Sequence, residues 1–188
     1  MNISRQISLG LLSVLLLAAC HKNEDHSEET WRQANEQAYN VVAKDPVYTE
    51  LPSLSNNGSI YYRVLHKGSG TKPIYYTSRV EVYYKGWFVA GYPEKNIHAG
   101  DIGGRRLYDD GAPLTFPVND AGLIEGWRVA LQYMVEGDKW EIWIPSKLNY
   151  VQSAYNSSHY PAFAASAPAY ATLAYEIEVV RVRGIDEL

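Results

Sequence analysis

The chain has 188 residues, of which 46% are hydrophobic and 20% are charged, and its formal net charge is −4 at pH 7. This length suits one domain of about 100 to 150 residues plus additional segments, and without a basic patch we expect no nucleic-acid partner. The aromatic residues favour rings with a polar tip, 16 Tyr and 5 Trp against 3 Phe. Such rings suit surfaces and binding clefts.

The first 19 residues are typical of an export signal. Arg5 precedes an apolar run over residues 7–17, which is too short for a membrane span of roughly 20 apolar residues. Leu17-Ala18-Ala19-Cys20 resembles the lipobox of bacterial lipoproteins, which implies removal of residues 1–19 and lipidation of Cys20, the one cysteine of the chain. His21-Lys22 lacks the Asp that commonly retains lipoproteins at an inner membrane. We therefore expect a lipid anchor in the outer membrane, facing the periplasm or the cell surface.

The segment 20–58 is predicted to connect this anchor to a folded domain. Polar and charged residues over 21–29 have nothing to bury and indicate a flexible tether. A helix is then predicted from Ser27, which can cap it, to Asp45-Pro46, which ends it. One face of this helix carries Trp31, Ala34, Ala38 and Val41. Residues 46–58 contain Pro and Gly and indicate an irregular connector.

Five segments after this connector alternate like β-strands. They cover residues 59–66, 79–86, 113–118, 139–145 and 171–182. The second strand places Val80, Val82 and Tyr84 on one face. The third places Leu114, Phe116 and Val118 together, and the last points Leu173, Tyr175, Ile177 and Val179 inward.

Between the third and fourth strands, residues 123–134 predict one short helix. Its buried face is formed at helical spacing by Trp127, Ala130 or Leu131, and Met134, whereas Arg128 and Gln132 lie off that face. After a turn at Gly137-Asp138 the period becomes two, with Trp140, Ile142 and Ile144 on one side and Glu141 and Trp143 on the other. A sheet buried on one face should therefore receive the helix, which makes an α+β domain.

This helix, turn and strand resemble the FKBP-type peptidyl-prolyl isomerases. The matching positions are Gly126-Trp127, Ala130-Leu131, Met134, Gly137-Asp138-Lys139, Ile144-Pro145 and Leu148-Asn149-Tyr150. The resemblance covers residues 59–183 and implies an antiparallel sheet of five to six strands wrapped around one short central helix, preceded here by the N-terminal helix. We accordingly divide the chain into a signal peptide (1–19), a segment with the lipidated Cys, tether, helix and connector (20–58), and an FKBP-like domain (59–188).

The resemblance also implies a set of pocket residues. They are Tyr84, Asp109, Phe116, Leu123, Ile124, Trp127, Tyr150 and Tyr175. Trp127 would be the floor under the proline ring, the Ile124 N–H and the Tyr150 hydroxyl would hold substrate carbonyls, and Asp109 would lie at the edge. For Phe116, Tyr175 and Trp127, burial in an ordinary core is an alternative, so the prediction depends on the whole set.

Two loops depart from the family pattern. Residues 87–107 form a longer, Gly-rich connection, and residues 151–167 stand where the family has a Gly-rich flap. The family's Phe-Asp pair corresponds either to Gly104-Arg105 or to Tyr108-Asp109, and we prefer the second because a carboxylate at the pocket edge is the commoner family feature.

The function implied by the resemblance is cis-trans isomerisation of X-Pro bonds in exported polypeptides. This reaction breaks no bond, so the missing acid-base motifs do not count against it, and no cofactor is expected. The five His stand at 21, 26, 66, 98 and 159, without ligand-like spacing, so no metal site is predicted. The alternative is a non-catalytic FKBP-like lipoprotein that binds a peptide or a glycan, which the two altered loops would favour.

Overall fold

The computed structural model describes residues 24–91, 100–103, 111–149, 167 and 169–183. These ranges contain two α-helices, α1 (Glu24–Lys44) and α2 (Glu125–Leu131), and a 3-10 turn at Ser146–Leu148. They also contain seven strands: β1 (Thr49–Pro52), β2 (Ser59–His66), β3 (Arg79–Phe88), β4 (Gly100–Gly103), β5 (Leu114–Pro117), β6 (Lys139–Ile144) and β7 (Leu173–Arg183). None of the helices in the described ranges is long and apolar enough to cross a membrane.

The strands form one antiparallel sheet in the order β1-β2-β6-β7-β3-β4, and β5 pairs with the free part of the β3 edge. The predicted α+β architecture, with an N-terminal helix and one short central helix, is confirmed. All five predicted strands are present, and β2 begins and ends where the alternation predicts. The inward residues of β3 and β7 are fully buried as expected, namely Val80, Val82, Tyr84, Leu173, Tyr175, Ile177 and Val179.

Two strands were not predicted, and each lacks the apolar alternation that identifies a strand. Strand β1 has four residues, of which Leu51 alone is buried opposite Ile60 on β2. Strand β4 lies in the Gly-rich connection and pairs its backbone with Gly86–Phe88 on β3. Both are therefore defined by backbone pairing rather than by side-chain pattern.

Helix α2 lies against one face of the sheet through a glycine. A β-carbon on Gly126 would lie 2.5 Å from Cγ2 of Ile144 on β6, so the helix approaches the strand more closely than any side chain allows. The predicted buried face is confirmed, because Trp127, Ala130, Leu131 and Met134 are all buried. This close approach fixes the depth at which Trp127 enters the core.

Helix α1 packs against the sheet where β7 begins. The Trp31 indole N–H donates to Ala169 O at 2.8 Å, and the Asn35 side-chain oxygen accepts from the Thr172 N–H at 2.7 Å. The buried face differs from the prediction, since Asn35 and Val42 are buried whereas Val41 is 63% exposed. The reason is that a hydrogen-bonded amide, which an apolar pattern cannot identify, occupies the centre of this contact.

The opposite face of β6 is covered as well, which the prediction of a sheet buried on one side missed. Glu141 is buried and accepts hydrogen bonds from the Tyr48 hydroxyl at 2.5 Å and the Trp143 indole N–H at 2.8 Å. Arg63 on β2 donates to the same carboxylate at 2.5 Å. Burial raises the pKa of Glu141, but these three donors outweigh it and hold the pKa below its ordinary value.

Candidate functional site

The candidate site is an aromatic cluster centred on Trp127. The Trp127 ring lies 5.2 Å from the Tyr84 ring and 5.3 Å from the Tyr175 ring, with interplanar angles of 76° and 84°. The Phe116 ring lies 6.0 Å away at 53°. All four residues are buried, and edge-to-face packing of this kind favours one fixed ring orientation.

Strand register brings these rings to one place from distant parts of the chain. Phe116 on β5 pairs with Val80 of β3, and Tyr84 lies four residues after Val80 on β3. Tyr175 on β7 pairs with Gly86 of β3, diagonal to Tyr84. Since alternate residues of a strand share one face, Phe116, Tyr84 and Tyr175 all point to the side of the sheet on which α2 lies.

The turn before α2 forms the next part of the site. The side chains of Leu123 and Ile124 are buried, and Ile124 has an extended backbone (φ −62°, ψ 147°) at the start of the helix. The Ile124 carbonyl accepts from the Arg128 N–H at 3.3 Å, while the Ile124 N–H takes part in none of the hydrogen bonds found among the described residues. Among the described residues, this backbone N–H beside the aromatic cluster is therefore left without a hydrogen-bond acceptor.

Two contacts hold this turn and the first residue of α2 in place. Arg128 donates to three carbonyl oxygens of the turn, those of Val118, Asp120 and Leu123. The Ser53 hydroxyl, in the tight connection between β1 and β2, donates to the Glu125 carboxylate. Helix α2 is thereby tied both to the turn that precedes it and to the β1–β2 hairpin.

Six of the eight pocket residues expected from the sequence lie in the described ranges. The structure brings Tyr84, Phe116 and Tyr175 into contact with Trp127 and places Leu123 and Ile124 directly before its helix. Asp109 and Tyr150 lie outside the described residues, as do Cys20 and both alignments of the Phe-Asp pair, Gly104-Arg105 and Tyr108-Asp109.

Sequence reasoning missed Arg128, whose position off the apolar stripe indicated an ordinary exposed residue. The side chain is instead half-buried against the turn. Only its spacing of four residues from Ile124 hinted at this, since that spacing directs the side chain back toward the helix start. Among the described residues, no group of His, Cys, Asp or Glu is arranged to hold a metal ion.

Comparisons with known proteins agree with this architecture. The family model described as FKBP-type peptidyl-prolyl cis-trans isomerase matches residues 70–180. The FKBP-type 22 kDa peptidyl-prolyl cis-trans isomerase of Escherichia coli (strain K12) is 32% identical over 132 residues, which cover 68% of this chain and 52% of that protein. The outer membrane protein MIP of Legionella longbeachae is 31% identical over 105 residues, covering 56% of this chain and 37% of that protein.

Among solved structures, a peptidyl-prolyl cis-trans isomerase from Pseudomonas syringae pv. tomato matches with a TM-score of 0.58 and 26% identity. The match covers 83% of this chain and 96% of that one. The chain spans about half of the Escherichia coli relative and less of the Legionella relative. Because the family model matches more than half of the 188 residues, the chain belongs to the FKBP-type peptidyl-prolyl cis-trans isomerase family.

Proposed function

We propose that this protein is a peptidyl-prolyl cis-trans isomerase that acts on X-Pro bonds of polypeptides, with the cluster around Trp127 as its working site. The observation that carries the proposal is the convergence of Tyr84, Phe116 and Tyr175 on one indole ring, with the Leu123–Ile124 turn beside it. Residues from three strands and one helix meet there, and they present aromatic rings and one backbone donor.

The chemistry of this site suits rotation about an imide bond. The rotational barrier of roughly 18–20 kcal/mol arises from C–N conjugation, and the twisted transition state, which has lost that conjugation, is less polar than the planar imide. Apolar walls around Trp127 favour the less polar species by withholding the water that would solvate the planar form. No side chain has to transfer a proton.

The remaining pocket residues are proposed to orient the peptide. The Ile124 N–H would donate to one substrate carbonyl, and the Tyr150 hydroxyl would donate to another. Asp109 would lie at the pocket edge. A hydrogen bond of this kind contributes about 0.5–1.5 kcal/mol, which corresponds to a several-fold change in kcat/KM at 1.36 kcal/mol per tenfold.

The test compares two buried tryptophans given the same substitution. Trp127→Leu keeps an apolar floor but removes the flat ring, so kcat/KM for a prolyl tetrapeptide should fall by roughly tenfold in a protease-coupled assay. Trp140→Leu is the matched control, because Trp140 is equally buried but stacks on Tyr62 at 4.1 Å, outside the cluster. Equal activity of the two folded variants would contradict the assignment of the site.

Activity and binding measurements on the wild-type protein also distinguish an enzyme from a non-catalytic binding protein. Because no proton is transferred, its kcat/KM should be nearly flat from mildly acid to mildly alkaline pH. A bell-shaped profile with the protein folded throughout would argue against this mechanism. The wild type could instead prove inactive but bind a prolyl peptide, with the Trp127→Leu variant binding the same peptide more weakly. That result would favour a peptide-binding protein over an enzyme.

The proposed location is the outer membrane, through a lipid on Cys20. The support is the lipobox-like Leu17-Ala18-Ala19-Cys20 and the similarity to a Legionella protein named as an outer membrane protein. The clients would then be exported polypeptides that contain proline. Two or more acyl chains anchor stably, since each buried CH₂ contributes ~0.8 kcal/mol. Cys20→Ala should move the protein from the membrane to the soluble fraction, and unchanged membrane retention would refute the anchor.

A further inference from the structure

The guanidinium of Arg128 holds the turn that leads into α2 from behind. Its Nε donates to Val118 O at 3.2 Å. Its Nη2 donates to Asp120 O at 3.0 Å and to Leu123 O at 2.5 Å. These three carbonyls span the turn from the end of β5 to the residue before Ile124, so one side chain fixes the whole turn. Hydrogen bonds from a charged donor are the stronger kind.

The hydrogen bond from Arg128 to Leu123 O acts on the peptide group that also contains the Ile124 N–H. The carbonyl of Leu123 and the N–H of Ile124 belong to one peptide unit, and the described backbone contains no cis peptide bond. In a trans peptide the C=O and the N–H point in opposite directions. Arg128 therefore lies on the carbonyl side of this unit, and the Ile124 N–H points away from it.

A charged donor on the Leu123 carbonyl oxygen also makes the N–H of the same peptide group a stronger hydrogen-bond donor. Withdrawal of electron density toward the oxygen increases the double-bond character of the C–N bond and the positive partial charge on the amide hydrogen. Chains of hydrogen bonds polarise one another in the same way. The Ile124 N–H is thus a stronger donor than an isolated amide, and its direction is fixed.

We propose that Arg128 is a positioning residue for substrate binding, which acts through the Leu123–Ile124 peptide unit to orient and strengthen the Ile124 N–H toward a substrate carbonyl. This inference rests on the proposed isomerase function. It adds a residue that itself touches no substrate. The proposal places this bond on a substrate carbonyl outside the rotating imide, so that the bond forms in the ground state and persists in the twisted state.

A contact of equal strength in both states has a specific kinetic signature. Its loss raises KM and leaves kcat unchanged. Structural damage gives a different result, since a smaller folded fraction lowers kcat at constant KM. The split between the two constants therefore distinguishes positioning from a purely structural role.

The experiment replaces Arg128 in the full chain, purified in detergent, and follows cis-trans exchange of a prolyl tetrapeptide by NMR. Arg128→Met should raise KM, and the Kd of the same peptide, by roughly three- to tenfold with kcat unchanged. Arg128→Lys keeps the charge but reaches fewer carbonyls, so its KM should lie in between. The matched control is Arg181→Met, at an exposed arginine of β7, which should leave both constants unchanged. An Arg128→Met protein with unchanged KM would overturn the proposal.

A second measurement starts from the wild-type protein and uses Arg128→Met only for comparison. In the wild type, hydrogen bonds to three carbonyls should slow rotation of the Arg128 guanidinium, so that its two Nη resonances are resolved, while those of the exposed Arg181 are averaged. In Arg128→Met the Ile124 amide nitrogen should shift upfield. Averaged Arg128 resonances in the wild type would overturn the inference.

If the wild type is active and Trp127→Leu impairs it but Arg128→Met does not, this inference fails alone. A wild type that is inactive overturns the proposed function as well.

Discussion

The substitution Gly126→Ala tests why a glycine precedes the central tryptophan. A β-carbon at this position would lie 2.5 Å from Cγ2 of Ile144 and 2.8 Å from its Cγ1 and Cδ1, whereas carbon atoms in favourable contact are about 3.5–4.0 Å apart. Ile144 is fully buried and β-branched, so it has little freedom to move aside. Overpacking of this kind costs about 1–3 kcal/mol.

An opposing effect has to be separated from this clash. Alanine in a helix is more favourable than glycine by up to about 1 kcal/mol, so the net change in the free energy of unfolding underestimates the clash. A double-mutant cycle removes the ambiguity. Ile144→Ala deletes all three clashing atoms, and in that background Gly126→Ala should be neutral or stabilising by up to about 1 kcal/mol. The coupling energy should therefore be about 1–3 kcal/mol.

Urea denaturation of the four proteins measures this coupling. Ile144→Ala by itself costs about 2–5 kcal/mol. A domain with an ordinary free energy of unfolding, about 5–15 kcal/mol, stays folded after this loss over most of that range. Gly126→Ala should also lower kcat/KM, because a helix displaced from β6 displaces Trp127. A coupling below about 0.5 kcal/mol, the usual deviation for independent sites, would refute the close packing of α2 on β6.

Three further predictions concern stability. The pKa of Glu141 is lowered in the folded protein, so the stability that its carboxylate contributes is present above the unfolded-state pKa and is lost as the pH falls through the folded-state pKa. The difference in the free energy of unfolding between wild type and Glu141→Gln, measured by urea denaturation, should therefore shrink from pH 7 to pH 3. A constant difference would contradict this. Gly68→Ala places a β-carbon 2.4 Å from Glu136 O and Asp138 N in the turn before β6, whereas no atom of the described residues lies within 4 Å of a β-carbon built on Gly111. Gly68→Ala should cost about 3 kcal/mol or more, while Gly111→Ala should be close to neutral. Equal effects of the two substitutions in thermal unfolding would contradict this. Asn35→Ala strands the buried Thr172 N–H and should cost about 1–3 kcal/mol, while Gln37→Ala on the exposed face should stay within about 0.5 kcal/mol; similar values for both would show that α1 is not docked through Asn35.

Five of the seven described strands and the central helix were predictable from the sequence because their side chains alternate with the period of the structure they form, whereas β1 and β4 carry no such alternation. The buried faces of β3, β7 and α2 each follow from apolar residues at spacings of two or three to four. The contact of Tyr84, Phe116 and Tyr175 with Trp127 was different. Periodicity places each ring on a buried face, but only the family resemblance indicated that the four rings meet.

Three features were beyond sequence reasoning because they depend on hydrogen-bond partners that only the folded chain brings together. Asn35 is buried because Thr172, 137 positions later, offers it a backbone N–H. Glu141 is buried because Tyr48 and Arg63 satisfy its carboxylate. The three carbonyls that accept from Arg128 are brought together by the path of the turn before α2. In each case a polar residue looks solvent-exposed until its partner is known.

In the proposed site, the prolyl residue of a substrate binds against Trp127. The most direct measurement is a nuclear Overhauser experiment on the wild-type protein with a peptide that contains one X-Pro bond. Cross-peaks from the proline ring protons to the Trp127 indole are expected, together with cis-trans exchange faster than in the free peptide. Faster exchange with cross-peaks to residues elsewhere, for example on α1, would contradict it.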